Sequence, residues 1–258
     1  KGDAEAKALL AKFKAIHEQL KQAPKRVLLV AEQAVEQSLT ETLAQRWSHA
    51  NAPSTGFQSL LLPERREQVR QIWTTNTQVN FCAKAYPTVP SSHPDHAALS
   101  VLGGFLRNGF LHRTIREQGG AYGGGADQDG NSASFRFYSY RDPRLVDTLK
   151  DYDRAIEWVL SANHDERLVE EAILGVISGM DKSTSPAGEA KQAFYNDLFG
   201  RTREHRLHFR RQVLDTQLSD LQRVAQRYLV PEQASIGVIS NSSKLDQVKD
   251  MHLEVFSV

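Results

Sequence analysis

The sequence lacks most features that mark a membrane, secreted or nucleic-acid-binding protein. Its one cysteine, Cys82, excludes an internal disulfide and suits a reducing compartment. No apolar run approaches the ~20 residues that a helix needs to span a bilayer. Basic and acidic residues number 32 and 31. This balance favours neither nucleic acid nor an acidic membrane surface as a partner, so we expect neither.

The start of the chain also lacks an initiating methionine and the apolar core of a signal peptide. It predicts a helix instead, because apolar side chains recur there at helical spacing. They are Leu9, Leu10, Phe13, Ile16 and Leu20. A chain that begins inside a helix is typical of a piece of a longer polypeptide, which is how we interpret this one.

The remaining sequence predicts strands grouped before and after helices. Strand patterns cover 26–32, 78–86, 131–140 and 234–240. Helix patterns cover 38–47, 94–116, 142–159 (capped by Asp142-Pro143), 168–180 (opened by an Asn163-x-x-Glu166 cap), 187–198 and the stretch from Thr216 to just before Pro231. Segment 51–67 is loop-like and is the best candidate for an internal linker. Because regular βαβ alternation is missing, this order favours an α+β fold over a Rossmann sheet.

Two strand patterns alternate between faces. In 78–86 the two faces are Val79, Phe81, Ala83, Ala85 and Asn80, Cys82, Lys84, Tyr86. In 131–140 they are Phe135, Phe137 and Arg136, Tyr138, Tyr140. Cys82 inside such a strand is expected to be a small buried thiol.

Segment 116–125, REQGGAYGGG, places five glycines within ten residues. Glycine loses much conformational freedom on folding, so the cluster indicates a tight turn, a bulge or a close approach of another group, with a flexible loop as the alternative. A helix precedes it, and the turn residues DQDGN and a strand follow it. We therefore predict that it forms the first arm of a β-hairpin. Gly103 and Gly104 in the preceding helix indicate close helix–sheet packing or a break.

Motifs of familiar chemistry are absent or incomplete. No lysine follows a glycine at Walker A spacing, and the dinucleotide fingerprint fails after Gly125. DQDG fits a hairpin turn better than a calcium loop. The pairs His93/His96 and His205/His208 lack the H-x-x-E-H arrangement of a zinc site, so we expect no metal ligands here. No G-x-S-x-G elbow marks a nucleophile.

Arg116 and Tyr122 flank Gly119 and Gly120 and leave two interpretations open. Residue types alone favour a structural one, with Arg116 as a helix C-terminal cation and Tyr122 as a strand aromatic. In the other, both side chains donate hydrogen bonds to carbonyl oxygens of a bound peptide or to a developing oxyanion.

The run FLRNGFLHRTIREQGGAYGGGADQDGNSASFRFYSYRDPRLVDTLKDYD resembles the C-terminal region of the pitrilysin (insulinase) family of zinc metallopeptidases, peptidase family M16. It is most similar to the presequence-protease-like branch. The likeness is long and specific over residues 75–160, and it is weaker elsewhere, where it includes the MDKSTSP segment.

This resemblance implies two bowl-shaped halves, each of two α+β domains with a mixed or antiparallel sheet packed against helices. Zinc and the H-x-x-E-H motif belong to the first domain, so the chain resembles the last, non-catalytic domain. We expect 1–22 to be a helix from the preceding domain or connection and 23–258 to be the C-terminal domain. The full-length protein is expected to be a zinc endopeptidase, and the fragment alone to be inactive.

The resemblance also assigns roles. Tyr122 would donate to the scissile carbonyl or oxyanion, and Arg116 would hold a substrate carbonyl nearby. Gly119, Gly120 and Ala121 would form the substrate-binding turn. The implied partners are the N-terminal catalytic half and unfolded peptides.

Two alternatives remain: a stand-alone non-catalytic subunit of the same family, and a peptide-binding module that pairs with a separate catalytic chain. The implied compartment is the bacterial cytoplasm, or the mitochondrial or plastid matrix in a eukaryote.

Overall fold

The computed structural model describes residues 2–23, 25–46, 66–161 and 164–257. The chain divides into two compact units. One comprises Lys1–Pro63 and Thr184–Arg201, and the other comprises Glu64–Ser183 and Thr202–Val258. No helix in the described part of the chain is long and apolar enough to cross a membrane.

The elements follow in chain order, with short 3₁₀ turns omitted. They are α1 (Gly2–Gln22), α2 (Gln33–Arg46), β1 (Arg70–Thr74), β2 (Asn80–Pro87), α3 (Asp95–Leu106), a π-helix (Arg107–Gln118), β3 (Gly123–Asp129), β4 (Ser134–Asp142), α4 (Val146–Leu160), α5 (Glu166–Met180), α6 (Pro186–Leu198), α7 (Arg203–Leu214), α8 (Leu218–Tyr228), β5 (Ser235–Ser240), α9 (Leu245–Val248) and β6 (Glu254–Ser257).

The first unit contains α1, α2 and α6, and none of the described residues of these helices is buried. The predicted N-terminal helix is confirmed. The strand predicted at 26–32 is wrong, because the described residues 25–32 form no strand. A strand needs a neighbour for its backbone N–H and C=O groups, and β-branched sequence alone does not provide one. Trp47 and most of the predicted linker, 51–65, lie outside the described residues.

The second unit is built on one six-stranded mixed sheet with the order β3-β4-β2-β5-β1-β6. β3, β4, β2 and β5 pair antiparallel, whereas β1 pairs parallel with both β5 and β6. The predicted α+β architecture with a mixed sheet is therefore confirmed. The sequence patterns missed β1, β6, α7 and the short α9. The strand predicted at 234–240 is therefore followed by one more strand, β6.

Helices α3, α4 and α8 pack together on one side of the sheet, and their apolar faces meet the inward residues of the strands. Phe135 and Phe137 are fully buried there, as is Tyr152 of α4, whose ring stacks on Phe137. Both predicted alternations are confirmed. The inward face of β2 is the one that carries Asn80, Cys82, Lys84 and Tyr86.

Two helix starts differ from the sequence prediction. Asp142 was expected to cap the helix that follows it, but Leu145 is the residue at the N-cap of α4. The cap of α5 is Asp165, whose carboxylate accepts from the Arg167 amide. The predicted cap residue, Asn163, lies outside the described residues. Asp165 is the cap because its side chain is two residues from a free helix amide.

Asp142 instead belongs to a buried polar network between β2, β4, β5 and α4. Its carboxylate accepts from the Arg144 amide at 2.9 Å and from the Thr148 hydroxyl at 2.8 Å. Asn80 donates to the backbone carbonyls of Asp142 and Arg144, at 2.9 and 3.1 Å, and accepts from the Ser240 hydroxyl at 2.6 Å. Every buried polar atom in these bonds has a partner, which is the condition for burying them at low cost.

We expect Asn80→Ala to lower the free energy of unfolding by roughly 1–3 kcal/mol, because it leaves buried polar partners unsatisfied. Chemical denaturation of the purified protein measures the change. Asn76→Ala is the matched control, because Asn76 is exposed and its loss should change stability by less than about 0.5 kcal/mol. Equal stability of both variants would contradict a structural role for the network.

Candidate functional site

The helix that leads to the glycine cluster changes its geometry before it ends. α3 continues without a break into the twelve-residue π-helix Arg107–Gln118. π-helical turns are rare and often lie at functional sites. The close packing predicted from Gly103 is confirmed, since a Cβ there would lie 3.0 Å from the Ala126 carbonyl oxygen of β3.

The glycine turn, residues 119–121, reverses the chain from the π-helix towards β3. Gly120 has φ +78°, a left-handed conformation that glycine adopts without a steric penalty. Its amide donates to the Arg116 carbonyl at 3.0 Å, and the Ala121 amide donates to the Ile115 carbonyl at 3.1 Å. The predicted tight turn and hairpin arm are therefore confirmed, and the flexible-loop alternative is wrong.

Gly119 leaves room for a buried ion pair. A Cβ at this position would lie 2.0 Å from Nη2 of Arg144. The same Nη2 donates to the Thr114 carbonyl at 3.2 Å and lies 3.0 Å from Oδ2 of Asp151. Arg154 pairs with the other oxygen of Asp151. The guanidinium of Arg144 thus ties α4 to the last turn of the π-helix across Gly119.

Asp151 is fully buried, and burial raises the pKa of its carboxyl above the ordinary value although Arg154 and Arg144 lower it. Among the described residues, the cations that pair with this carboxylate are Arg144 and Arg154. Removal of either partner leaves a buried carboxylate less compensated, which is costly.

The glycines of β3 leave room for aromatic rings on the adjacent strand. A Cβ at Gly123 would lie 2.4 Å from the hydroxyl oxygen of Tyr140. A Cβ at Gly125 would lie 3.1 Å from the Tyr138 hydroxyl oxygen and 3.1 Å from Cδ of Arg107. These tyrosines belong to β4, paired directly with the glycines. A side chain at Gly123 would displace the Tyr140 ring, and one at Gly125 would crowd the Tyr138 hydroxyl and the Arg107 side chain.

Arg116 lies on the last turn of the π-helix, and its side chain is exposed. Its Nη1 is 3.3 Å from Nε2 of His112, and Nδ1 of the same ring is 3.3 Å from a carboxylate oxygen of Glu117. This arrangement suits an imidazole that accepts from Arg116 and donates to Glu117. Among the described residues, no carboxylate forms an ion pair with Arg116. The cation remains available to an outside acceptor.

Tyr122 follows the glycine turn, and its side chain is 66% exposed. Its ring contacts the Tyr140 ring, with centroids 5.7 Å apart, and the guanidinium of Arg141 lies 5.6 Å from its centroid. Its amide donates to the Arg141 carbonyl at 3.4 Å. The ring is thus held on two sides, while within the described residues its hydroxyl has no hydrogen-bond partner.

The structure places Arg116 and Tyr122 on either side of one tight turn, both exposed to solvent. Their assignment to substrate remains a prediction. Sequence patterns alone missed His112, Arg141 and Arg144, which contact the predicted residues or the turn. The spacing of His112 and Arg116, one helical turn apart, was the available signal for the first of these.

Cys82 and the pair His93/His96, which the sequence offered as candidates for chemistry, make packing contacts and hydrogen bonds within the fold. Cys82 is buried, and burial raises the pKa of its thiol to about 12, which leaves an unreactive thiol. His96 packs on the Phe209 ring at 5.2 Å, and the His93 ring accepts from the Asp95 amide at 3.0 Å. Across the described ranges, no group of three or more His, Cys, Asp or Glu side chains is placed to hold a metal ion.

A cavity of about 560 Å³ lies elsewhere on the second unit, where β2 ends and β5 begins. Its walls include Tyr86, Pro87, Glu232 and Ser235. None of the predicted site residues lines it, so it is separate from the glycine turn.

Comparison with known families decides the identity of the fold. The PreP C-terminal domain family matches residues 70–240, well over half of the chain. The chain belongs to this family. The matched range contains the π-helix, the glycine turn and the β3–β4 hairpin.

The curated relatives that this chain matches include presequence proteases, in agreement with that family. The mitochondrial presequence protease of Yarrowia lipolytica is 42% identical over 153 residues, which cover 59% of this chain and 15% of that protein. The mitochondrial presequence protease of Kluyveromyces lactis is 37% identical over 163 residues, covering 63% and 16%. The chain therefore spans about one sixth of the length of these relatives.

Solved structures confirm the pitrilysin-type fold. A peptidase M16 inactive domain from Pseudomonas fluorescens aligns with a TM-score of 0.62 at 16% identity, covering 80% of this chain and 51% of that one. Pitrilysin aligns with a TM-score of 0.57 at 16% identity, covering 80% and 23%. Likeness at this identity concerns the fold alone.

We expect Gly120→Ala to destabilise the protein by about 1–2 kcal/mol, because alanine must adopt the left-handed backbone. Gly175→Ala is the matched control. Gly175 lies inside α5, and a Cβ there would have no atom within 4 Å, so this change should stabilise by about 0.5–1 kcal/mol. Urea unfolding of both variants measures the two effects, and a stabilising effect at Gly120 would contradict the turn geometry.

Proposed function

We propose that this chain is the C-terminal substrate-binding domain of a zinc-dependent endopeptidase that degrades oligopeptides. The observation that carries the proposal is the glycine turn, which is flanked by two exposed hydrogen-bond donors: Arg116 on the π-helix and Tyr122 beside the β3–β4 hairpin. Membership in the PreP C-terminal domain family supports it.

The chemistry of these side chains suits an extended peptide. A guanidinium and a phenol hydroxyl both donate to carbonyl oxygens, and neither requires a charged ligand. Tyr122 would donate to the scissile carbonyl and more strongly to the oxyanion that forms from it, while Arg116 holds a neighbouring carbonyl. Donors fixed before the reaction need no reorganisation when the negative charge develops.

Zinc and the general base would belong to the N-terminal half of the longer polypeptide. The sequence has no H-x-x-E-H motif, and the described residues offer no group of metal ligands. The contribution proposed for this chain is therefore to bind and orient the peptide. The N-terminal half and unfolded peptides would be its partners.

The two relatives carry the word mitochondrial in their names. This supports the mitochondrial alternative of the predicted compartments over the bacterial cytoplasm. Fractionation of the source cells, followed by detection of the chain, tests it.

A second candidate function is that of a non-catalytic subunit that pairs with a separate catalytic chain. The fold of the chain is similar to that of the M16 domain from Pseudomonas fluorescens that is described as inactive, and this similarity supports the second candidate. Copurification with a separate H-x-x-E-H chain would support this candidate, whereas one polypeptide that carries both parts would exclude it.

In the full-length enzyme, Tyr122→Phe should lower kcat on the order of 10²-fold, because one oxyanion donor is lost. Arg116→Ala should lower kcat/KM while the melting temperature stays unchanged. Tyr195→Phe, at an exposed tyrosine of the other unit, is the matched control and should keep wild-type kinetics. Wild-type kinetics in Tyr122→Phe and Arg116→Ala would contradict the proposed roles of these two side chains as donors to the substrate.

The isolated chain should not cleave a quenched fluorogenic peptide, even with added zinc, because the metal ligands and base are elsewhere. Addition of the N-terminal half should restore turnover, and a chelator should abolish it. Chelator-sensitive cleavage by the isolated chain would mean that its histidines assemble a zinc site after all.

A further inference from the structure

Arg141 has a backbone conformation that its residue type does not favour. Its φ is +49°, in the left-handed region. The other non-glycine residues with positive φ in the described ranges, Ala133 and His252, lie in turns, whereas Arg141 lies inside β4. Strained residues that persist within regular structure are often part of a functional site.

The strain arises from a β-bulge. Asn80 pairs with Asp142 and Cys82 pairs with Ser139, so two residues of β4, Tyr140 and Arg141, stand opposite Phe81 alone. Bulges of this kind redirect a side chain, and they are common beside active sites. Glycine would adopt this conformation without a steric penalty, so the arginine side chain itself needs an explanation.

The redirected side chain reaches Tyr122. The Arg141 guanidinium lies 5.6 Å from the centroid of the Tyr122 ring, within the range of a cation–π contact. The Arg141 carbonyl also accepts from the Tyr122 amide at 3.4 Å. Arg141 is exposed, and within residues 66–161 and 164–257 no carboxylate pairs with it. Its described partner is therefore the tyrosine that the proposed function places at the scissile bond.

We propose that Arg141 is a positioning residue that holds the Tyr122 ring so that its hydroxyl points at the substrate carbonyl. The inference rests on the proposed function of Tyr122. Arg141 and Tyr140 both contact the Tyr122 ring. The buried hydrogen bonds of Asp142, the residue after Arg141, hold the backbone next to the bulge in place. An exposed ring that is held before the peptide arrives does not have to be ordered during the reaction.

The test uses the full-length enzyme and the variant Arg141→Gly, which removes the side chain and relieves the strain. We expect its melting temperature to equal or exceed the wild-type value. We expect kcat to fall about 2- to 5-fold, the value of an exposed cation–π contact, with KM unchanged. Arg141→Lys, which keeps a cation near the ring, should recover most of the loss.

Ala133→Gly is the matched control, because it relieves the same positive φ in the hairpin turn. It should keep wild-type kcat. A loss of kcat in both glycine variants would assign the effect to sheet flexibility and overturn the positioning role.

A double variant separates positioning from direct binding. With Tyr122→Phe already present, Arg141→Gly should cost nothing further, because the hydroxyl that it orients is gone. A remaining 2- to 5-fold loss would mean that Arg141 contacts the peptide itself, contrary to the inference.

The single variants distinguish this inference from the proposed function. Wild-type kcat in Arg141→Gly beside a slow Tyr122→Phe would refute the positioning role and leave the proposed function standing. Wild-type kcat in both would refute the proposed function as well. A fall in kcat together with a lower melting temperature, without rescue by lysine, would show a structural role only.

Discussion

The buried hydrogen bonds around Asp142 are the constraint on which the site depends. They join β2, β4, β5 and α4 through Asn80, Thr148 and Ser240, each almost fully buried. Because buried polar groups must be paired, this network allows one register of the strands and one direction for the chain as it leaves β4. The bulge lies immediately before Asp142, and Arg144 follows two residues after it. The network therefore sets the positions of the two arginines that contact the glycine turn and Tyr122.

The glycine cluster is a close-packing device. Two of its glycines lie against large side chains: Gly119 contacts the guanidinium of Arg144, and Gly123 contacts the ring of Tyr140. Gly120 alone is required for its backbone conformation. The entropy that glycine loses on folding is offset by contacts that a side chain would prevent. A segment that a composition count would class as flexible is thus a closely packed part of the second unit.

The sequence predicted the elements whose hydrophobic period extends over many residues. The long helix before the glycine cluster and the alternation in β2 and β4 are confirmed for that reason, whereas the hairpin was predicted from its glycines and the turn residues DQDGN. β1 and β6 were missed because strands of five and four residues show too little of a two-residue period. The strand at 26–32 was wrong because apolar sequence cannot supply a pairing partner. The π-helix was not predicted, because π-helical turns are rare and apolar residues at helical spacing are interpreted as an α-helix.

The candidate site was predictable only in part, and the reason is physical. Residue types favoured a structural interpretation of Arg116 and Tyr122, and it was the long motif resemblance that assigned them to a peptide. Arg141 and Arg144 carry no sequence signal, since their importance depends on a positive φ and on the space left by a distant glycine. Such roles follow from the path of the backbone. The contacts of Arg144, Tyr140 and Arg141 meet at the glycine turn and Tyr122, and these are the contacts on which the proposed peptide-binding role rests.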